Sequence, residues 1–161
     1  SKLKISIKES DSNIEKILDI GFVGRPIKIN SKIIKDHLKN GYIPVIAPLG
    51  FDNENNNFNI NADTVAGFIA GELKASKLLL LTDVAGILDK QKELISSLSL
   101  TDAKNILNKE FIEGGMKPKI LTCIEAMEKG VTKSTILDGR IPHSLILELF
   151  TEHGIGTQIY T

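Results

Sequence analysis

The six residues 59–64 read N-I-N-A-D-T and place two amides and a carboxylate at alternate positions. In an extended chain, residues two apart share one face, so Asn59 and Asn61 can converge on one ligand. Asn61 is a natural helix N-cap, and Asp63 then falls in the first helical turn. Such a junction offers neutral hydrogen-bond donors to an anionic substrate, with a carboxylate beside them to orient a cation. An ordinary capped helix after an Asn-rich turn fits the same residues. Three strand ends carry further chemistry: Thr82-Asp83, Asp138-Gly139, and the loop that leads from Pro48 to Asn59. Gly114-Gly115 opens a helix, and free N–H groups at a helix start attract phosphate. Lys117 and Lys119 lie in or beside its first turn, where a lysine reaches a phosphoryl group as a mobile point charge.

Other chemistries find no support. The chain holds neither a G-x-x-x-x-G-K-[ST] nor a G-x-G-x-x-G motif. Gly154-x-Gly156 precedes a strand and reads as a turn. His37, His143 and His153 lack metal-ligand spacing, so no side-chain metal site is expected, and no Ser/His/Asp arrangement is visible. Cys123, mid-helix, reads as a small core residue.

The elements that must position these residues follow from hydrophobic period. Residues 2–8 alternate as a half-buried strand, and 20–29 form a second extended stretch broken by Gly21, Gly24 and Pro26. A helix spans 31–40, capped by Asn30 or Ser31 and stopped by Gly41. A strand follows at 43–47, then an Asn-rich hairpin tip or loop at 51–58. The helix over 62–75 carries an apolar stripe of Val65, Phe68, Ile69 and Leu73. Its Gly67 and Gly71, with Ala66, Ala70 and Ala75, suit close packing on a sheet. The run Leu78 to Leu81 reads as a strand covered on both faces. Helices are expected over 101–109, capped by Thr101, and from Gly114 to about 129. Pro118 is tolerated in the first turn of the latter. Its Ile120, Ile124 and Met127, with Val131, read as core. A strand at 134–137, a helix at 143–150 and a last strand to Tyr160 complete the chain. Strands alternating with helices give an α/β class with a largely parallel sheet and helices on both faces. Residues 1–161 are expected to form one domain.

Bulk properties agree with an ordinary globular protein. The 161 residues are 42% hydrophobic and 25% charged, with 20 basic and 20 acidic side chains. No basic block points to nucleic acid or an anionic membrane, and the longest apolar run is too short for a bilayer. A single cysteine suggests a reducing compartment and a cytoplasmic location.

Several long strings then converge on one family. G-Y-I-P-V-I-A-P-L-G (41–50), N-I-N-A-D-T, L-L-L-L-T-D-V-A-G-I-L (78–88), E-G-G-M-K-P-K (113–119) and D-G-R-I-P-H-S-L-I-L-E-L-F-T (138–151) closely resemble the acetylglutamate kinases, of the amino acid kinase superfamily. Those enzymes use ATP, with Mg2+ held mainly by its phosphates, to phosphorylate the side-chain carboxylate of N-acetyl-L-glutamate in arginine biosynthesis. The resemblance implies that Lys119 stabilises charge on the transferring phosphoryl group and that Asp63 organises the catalytic lysines. It gives Asn59 a contact to acetylglutamate and sets Asn61 at the edge of the same pocket. Thr82, Asp83, Val84, Ala85, Gly86, Ile87 and Leu88, with Phe111, Ile112, Glu113 and Met116, match nucleotide-binding segments. Glu148 and Gly154 resemble the effector contacts of arginine-inhibited members, which usually carry histidine where this chain has Thr135.

The match is to the C-terminal, ATP-binding half. The K-x-G-G motif, the second Gly-Gly turn and the substrate-gripping arginine of the N-terminal half do not occur before Leu3. The chain alone is therefore expected to bind nucleotide weakly and to lack useful kinase activity, its parent being a homo-oligomer. Other superfamily members (aspartokinase, glutamate 5-kinase, uridylate kinase) and a non-catalytic nucleotide-binding module are the competing readings. The N-I-N-A-D and D-G-R-I-P-H blocks favour acetylglutamate kinase.

Overall fold

The computed structural model describes residues 1–8, 15–112 and 114–161. They form two compact units, Ser1–Val65 and Ala66–Thr161. The class is α/β, and the strands make two mixed four-stranded sheets, one in each unit.

The first unit holds β1 (Lys2–Lys8), β2 (Glu15–Gly24), α1 (Ser31–Lys39), β3 (Leu49–Phe51) and β4 (Asn57–Ile60). Its sheet runs β1-β2-β4-β3. β2 and β4 are parallel, while β1–β2 and β3–β4 are antiparallel. The second extended stretch begins earlier than its sequence suggests and stops at Gly24, just before Arg25-Pro26. Proline has no N–H for a ladder and restricts the residue before it. α1 ends as expected: Asn40 Nδ2 donates to the Asp36 carbonyl at 2.8 Å, and Gly41 takes φ +78°.

Residues 43–47 are not a strand. Ile43 and Val45 are 89% and 96% exposed, and no described strand pairs with this segment. Apolar, β-branched composition favours extension, but a strand exists only where a neighbour accepts its hydrogen bonds. The Asn-rich segment that follows is a hairpin tip. Asp52 Oδ1 accepts from the amides of Glu54 (2.9 Å) and Asn56 (3.0 Å), which fixes the turn between β3 and β4.

The helix α2 (Ala62–Leu73) starts at the end of the first unit, and its body belongs to the second. The second unit continues with β5 (Lys77–Thr82), β6 (Ser97–Ser99), α3 (Leu100–Ile106), α4 (Met116–Glu128), β7 (Lys133–Asp138), α5 (Ser144–Phe150) and β8 (Thr157–Tyr160). Its sheet runs β5-β7-β8-β6, with β5–β7 and β6–β8 parallel and β7–β8 antiparallel. The expected predominance of parallel pairing therefore gives way to alternating pairing in both sheets. The tight turn between β3 and β4 forces an antiparallel pair, and the parallel pairs β2–β4, β5–β7 and β6–β8 are each joined through at least one helix.

The second unit holds the larger core. Ile87, Ile120, Ile136 and Ile159 are fully buried, joined by Cys123, Ile124, Met127 and Val131. Leu78 and Leu80 of β5 enter this core, while Leu81 is exposed, so β5 is fully covered on one face only. The cap of α3 is Ser99, not Thr101. Its hydroxyl accepts from the Asp102 amide at 3.0 Å and donates to the Asp102 carboxylate at 2.6 Å. The side-chain cap therefore lies two residues upstream of the expected one.

α2 buries its small residues instead of its apolar stripe. Gly67, Ala70 and Gly71 are buried, while Val65, Phe68, Ile69 and Leu73 are half-exposed. The close contact is with α4, not with a sheet: a Cβ on Gly67 would lie 2.4 Å from Thr122 Cγ2 and 3.2 Å from its carbonyl oxygen. Small residues here let two helix backbones approach. No helix among the described residues is long and apolar enough to cross a membrane.

Gly67→Ala should therefore destabilise the chain by about 1–3 kcal/mol, because overpacking outweighs the gain in helix propensity. Gly71→Ala meets only the flexible stem of Lys129 and should change stability by less than about 1 kcal/mol. Urea unfolding of the two variants separates these outcomes.

Candidate active site

β5 and β7 run in parallel with Thr82 opposite Asp138, so their carboxyl ends coincide. In open α/β sheets this is where ligands bind. The Gly139 amide donates to the Thr82 carbonyl at 2.8 Å and extends the ladder past both strands. Side by side beyond it lie Thr82-Asp83 and Asp138-Gly139-Arg140. The Thr82 hydroxyl donates to Asp83 Oδ1 at 3.3 Å, and Asp83, Val84 and Ala85 are exposed. Lys119, in the first turns of α4, donates from Nζ to the Leu81 carbonyl at 3.4 Å. Its ammonium thus stands at the carboxyl edge of β5.

Asp138 is buried, and Arg140 clamps it. Arg140 Nε and Nη2 donate to the two carboxylate oxygens at 3.0 and 2.8 Å, and the Arg140 amide adds a third bond at 2.9 Å. These bonds hold the Asp138 carboxyl below the ordinary carboxylate range. The guanidinium is shifted upward by the same hydrogen bonds, then by the charges of Asp138 and, to a smaller degree, Asp83. Opposite charges at i and i+2 across a glycine were the sequence signal for this pair, and the motif reading did not use it.

The segments matched to nucleotide binding divide by exposure. Thr82 is half-exposed, and Asp83, Val84 and Ala85 face solvent. Gly86 and Ile87 shape the loop from inside. Gly86, at φ +154°, passes so close to Thr157 that a Cβ would lie 2.7 Å from its hydroxyl. The Ile87 amide donates to that hydroxyl at 2.8 Å. Leu88 is half-buried and bridges to Leu94. Ile112 is buried in the core, and Phe111 and Met116 pack against it. Glu113 lies outside the described residues. Gly114 takes φ +56° and Gly115 caps α4, both exposed.

In the first unit, β4 alternates, with Phe58 and Ile60 buried and Asn57 and Asn59 exposed. Asn61 caps α2: its Oδ1 accepts from the Thr64 amide at 3.1 Å and the Thr64 hydroxyl at 3.3 Å. The carbonyl half of that amide is therefore committed to the helix, leaving its Nδ2 for a ligand. Asp63 sits in the first turn, half-buried.

Glu148 is more than a solvated helix residue. Its Oε2 accepts from the amides of Ile155 (2.9 Å) and Gly156 (3.3 Å). Gly154, at φ +59°, lies against it, and a Cβ there would approach that oxygen to 2.6 Å. Glu148 and Gly154 are thus brought together as α5 is tied to the turn before β8.

Comparison with known proteins converges on one family. The family model described as "Amino acid kinase family" matches residues 2–138. The chain is 51% identical over 152 residues to acetylglutamate kinase of Afipia carboxidovorans, covering 94% of this chain and 52% of that protein. It is 50% identical to acetylglutamate kinase of Nitrobacter hamburgensis, covering 99% of this chain and 54% of that one. The chain thus spans about half the length of the curated relatives it matches. Among solved structures, N-acetylglutamate synthase from Neisseria gonorrhoeae complexed with coenzyme A and L-arginine superposes with TM-score 0.83 at 31% identity. That match covers 89% of this chain and 33% of the synthase. Carbamate kinase from Giardia lamblia bound to AMP-PNP shares the fold, with TM-score 0.65 at 19% identity over 98% of this chain and 52% of that one.

Folding lowers the pKa of Asp138, so the clamp contributes stability above the unfolded-state value and loses it as pH falls through the folded one. Asp138→Asn should lower the thermal midpoint at pH 7. The gap from wild type should narrow as pH falls below the ordinary carboxylate value of about 4 and close only below the depressed folded-state value of Asp138. Thermal unfolding from pH 2 to 7 checks this; a gap independent of pH would contradict it.

Proposed function

Because the chain belongs to the amino acid kinase family, we propose that it is the nucleotide-binding part of a cytoplasmic enzyme that phosphorylates the γ-carboxylate of N-acetyl-L-glutamate with ATP. The observation that carries this reading is the Lys119 ammonium at the shared carboxyl end of β5 and β7, beside the exposed Asp83, Val84 and Ala85. The choice of acceptor rests on the acetylglutamate kinases that match the chain over nearly all its length.

The chemistry asks little of a general base. A γ-carboxylate has a pKa of about 4.3 and is already an ionised nucleophile at neutral pH. Catalysis then consists of aligning two anions and offsetting charge on the transferring phosphoryl group. Lys119 serves the second task as a mobile cation. Asp63 organises lysines, and Asn59, exposed on β4, contacts acetylglutamate with Asn61 at the edge of its pocket. Among the described residues, no group of three or more His, Cys, Asp or Glu is placed to hold a metal ion. A magnesium ion, small and strongly hydrated, is served by phosphate oxygens and water with at most one or two carboxylates, and the exposed Asp83 suits that role. Such an ion, held at Asp83, would supply charge neutralisation at the phosphate.

The exposed apolar side chains of the first unit, including Phe22, Ile43, Val45 and Phe51, support a parent in which further chain covers them. That parent is a homo-oligomer and carries the remaining substrate contacts. Glu148 and Gly154 are proposed as contacts for an arginine effector. Glu148 Oε2 already binds two backbone amides, which leaves Oε1 for a guanidinium. Calorimetry with arginine on the full-length parent tests this, and no heat of binding would remove the effector site.

Lys119→Ala in the full-length parent should lower kcat by about 10²–10³-fold, the usual effect of losing one charge-stabilising group. ADP affinity should change much less. An ADP-release assay with N-acetylglutamate reads both activity and acceptor. Unchanged turnover would favour a non-catalytic nucleotide-binding module, and turnover with a different acceptor would reassign the substrate.

A further inference from the structure

We propose that Arg140 is an oxyanion-binding residue that holds a phosphate group of the bound nucleotide from the β7 side of the crevice. This rests on the nucleotide reading above and adds a second cation to it. Four charges meet at the ends of β5 and β7: Asp83 and Asp138 negative, Lys119 and Arg140 positive. Two carboxylates alone would repel a polyphosphate. Arg140 offsets them, and its placement does more than neutralise Asp138.

The anchoring carboxylate is buried, with a side chain 9% exposed, while the Arg140 side chain is 68% exposed. Asp138 thus holds the guanidinium out at the strand end. The clamp uses the Nε–Nη2 edge and the backbone amide. Nη1 has no hydrogen-bond partner among the described residues, so one edge of the fork remains for a ligand. A guanidinium already fixed on one edge loses little freedom when the other binds an oxyanion, and its planar donors match phosphate. The Gly139 amide bond to Thr82 sets this arginine next to the β5 end that carries Asp83. The smaller upward influence of Asp83 on the guanidinium reports the same proximity.

The alternative is that Arg140 only balances a buried charge. ADP and adenosine separate the two, because they differ only in phosphate. In NMR titrations of the 161-residue chain, Arg140→Met should weaken ADP binding about tenfold, the scale of one charge-assisted hydrogen bond, and leave adenosine binding unchanged. The double variant D138N/R140M removes the anchor with the cation, leaves no unpaired buried carboxylate, and should show the same loss. Equal loss for ADP and adenosine, or an unchanged ratio of the two affinities in the double variant, would overturn the role of Arg140 alone. If the unmodified chain binds neither ligand, the nucleotide reading fails and this inference fails with it.

Discussion

The parallel pairing of β5 with β7 is the constraint on which the site depends. The two strands stay in register from Lys77 opposite Lys133 to Thr82 opposite Asp138. β7 is buried from Ser134 to Asp138, so its register is set by packing on both faces. A slip of one residue would exchange the faces of Ile136 and Leu137 and carry Asp138 away from the end of β5. The crossover between the two strands contains α4, and α4 carries Lys119. The same pairing thus aligns the strand ends and returns the lysine to the edge of β5. α2 then locks α4 in place through Gly67, where only a residue without a side chain allows the approach to Thr122.

Side-chain oxygens fix the loops around that edge. The Thr157 hydroxyl takes the Ile87 amide, the Asp89 carboxylate takes those of Gln91 and Glu93, and Glu148 takes those of Ile155 and Gly156. In each case a side-chain oxygen, local at Asp89 and distant at Thr157, pairs a backbone donor of a turn. Ser134 is the contrasting case: its buried hydroxyl has no hydrogen-bond partner among the described residues. It lies near the start of β7, away from the charged end.

Much of this was legible from local pattern. Alternation gave β1, helical spacing gave α4 with its buried Ile120, Ile124 and Met127, and the amide at Asn61 marked the start of α2. The failures share a cause: they turn on which surface meets which. Residues 43–47 have strand composition but no described partner. The stripe of α2 is half-exposed because the helix approaches α4 through its glycines. β6 is too short for its pattern to stand out, and its last residue doubles as the cap of α3. Lys119 and Asp83 were legible as chemistry from their motifs. Asp138 was legible as a strand end too, but its clamp by Arg140 and its place beside Asp83 were not, because only the β5–β7 register brings residues 83 and 138 together.

The two units differ in how they are held together, and this bears on function. In the first, the described apolar side chains that are buried are Ile34, Phe58 and Ile60, while Phe22, Ile27, Tyr42, Ile43, Val45, Leu49 and Phe51 face solvent. In the second, a continuous core runs from Ala70 to Ile159. Apolar burial is the main favourable term in folding, and among the described residues it is concentrated in the second unit. Charges that must meet a polyphosphate need fixed positions, because preorganised groups stabilise a transition state without reorganising as it forms. Lys119, Asp138 and Arg140 stand on the unit with the continuous core.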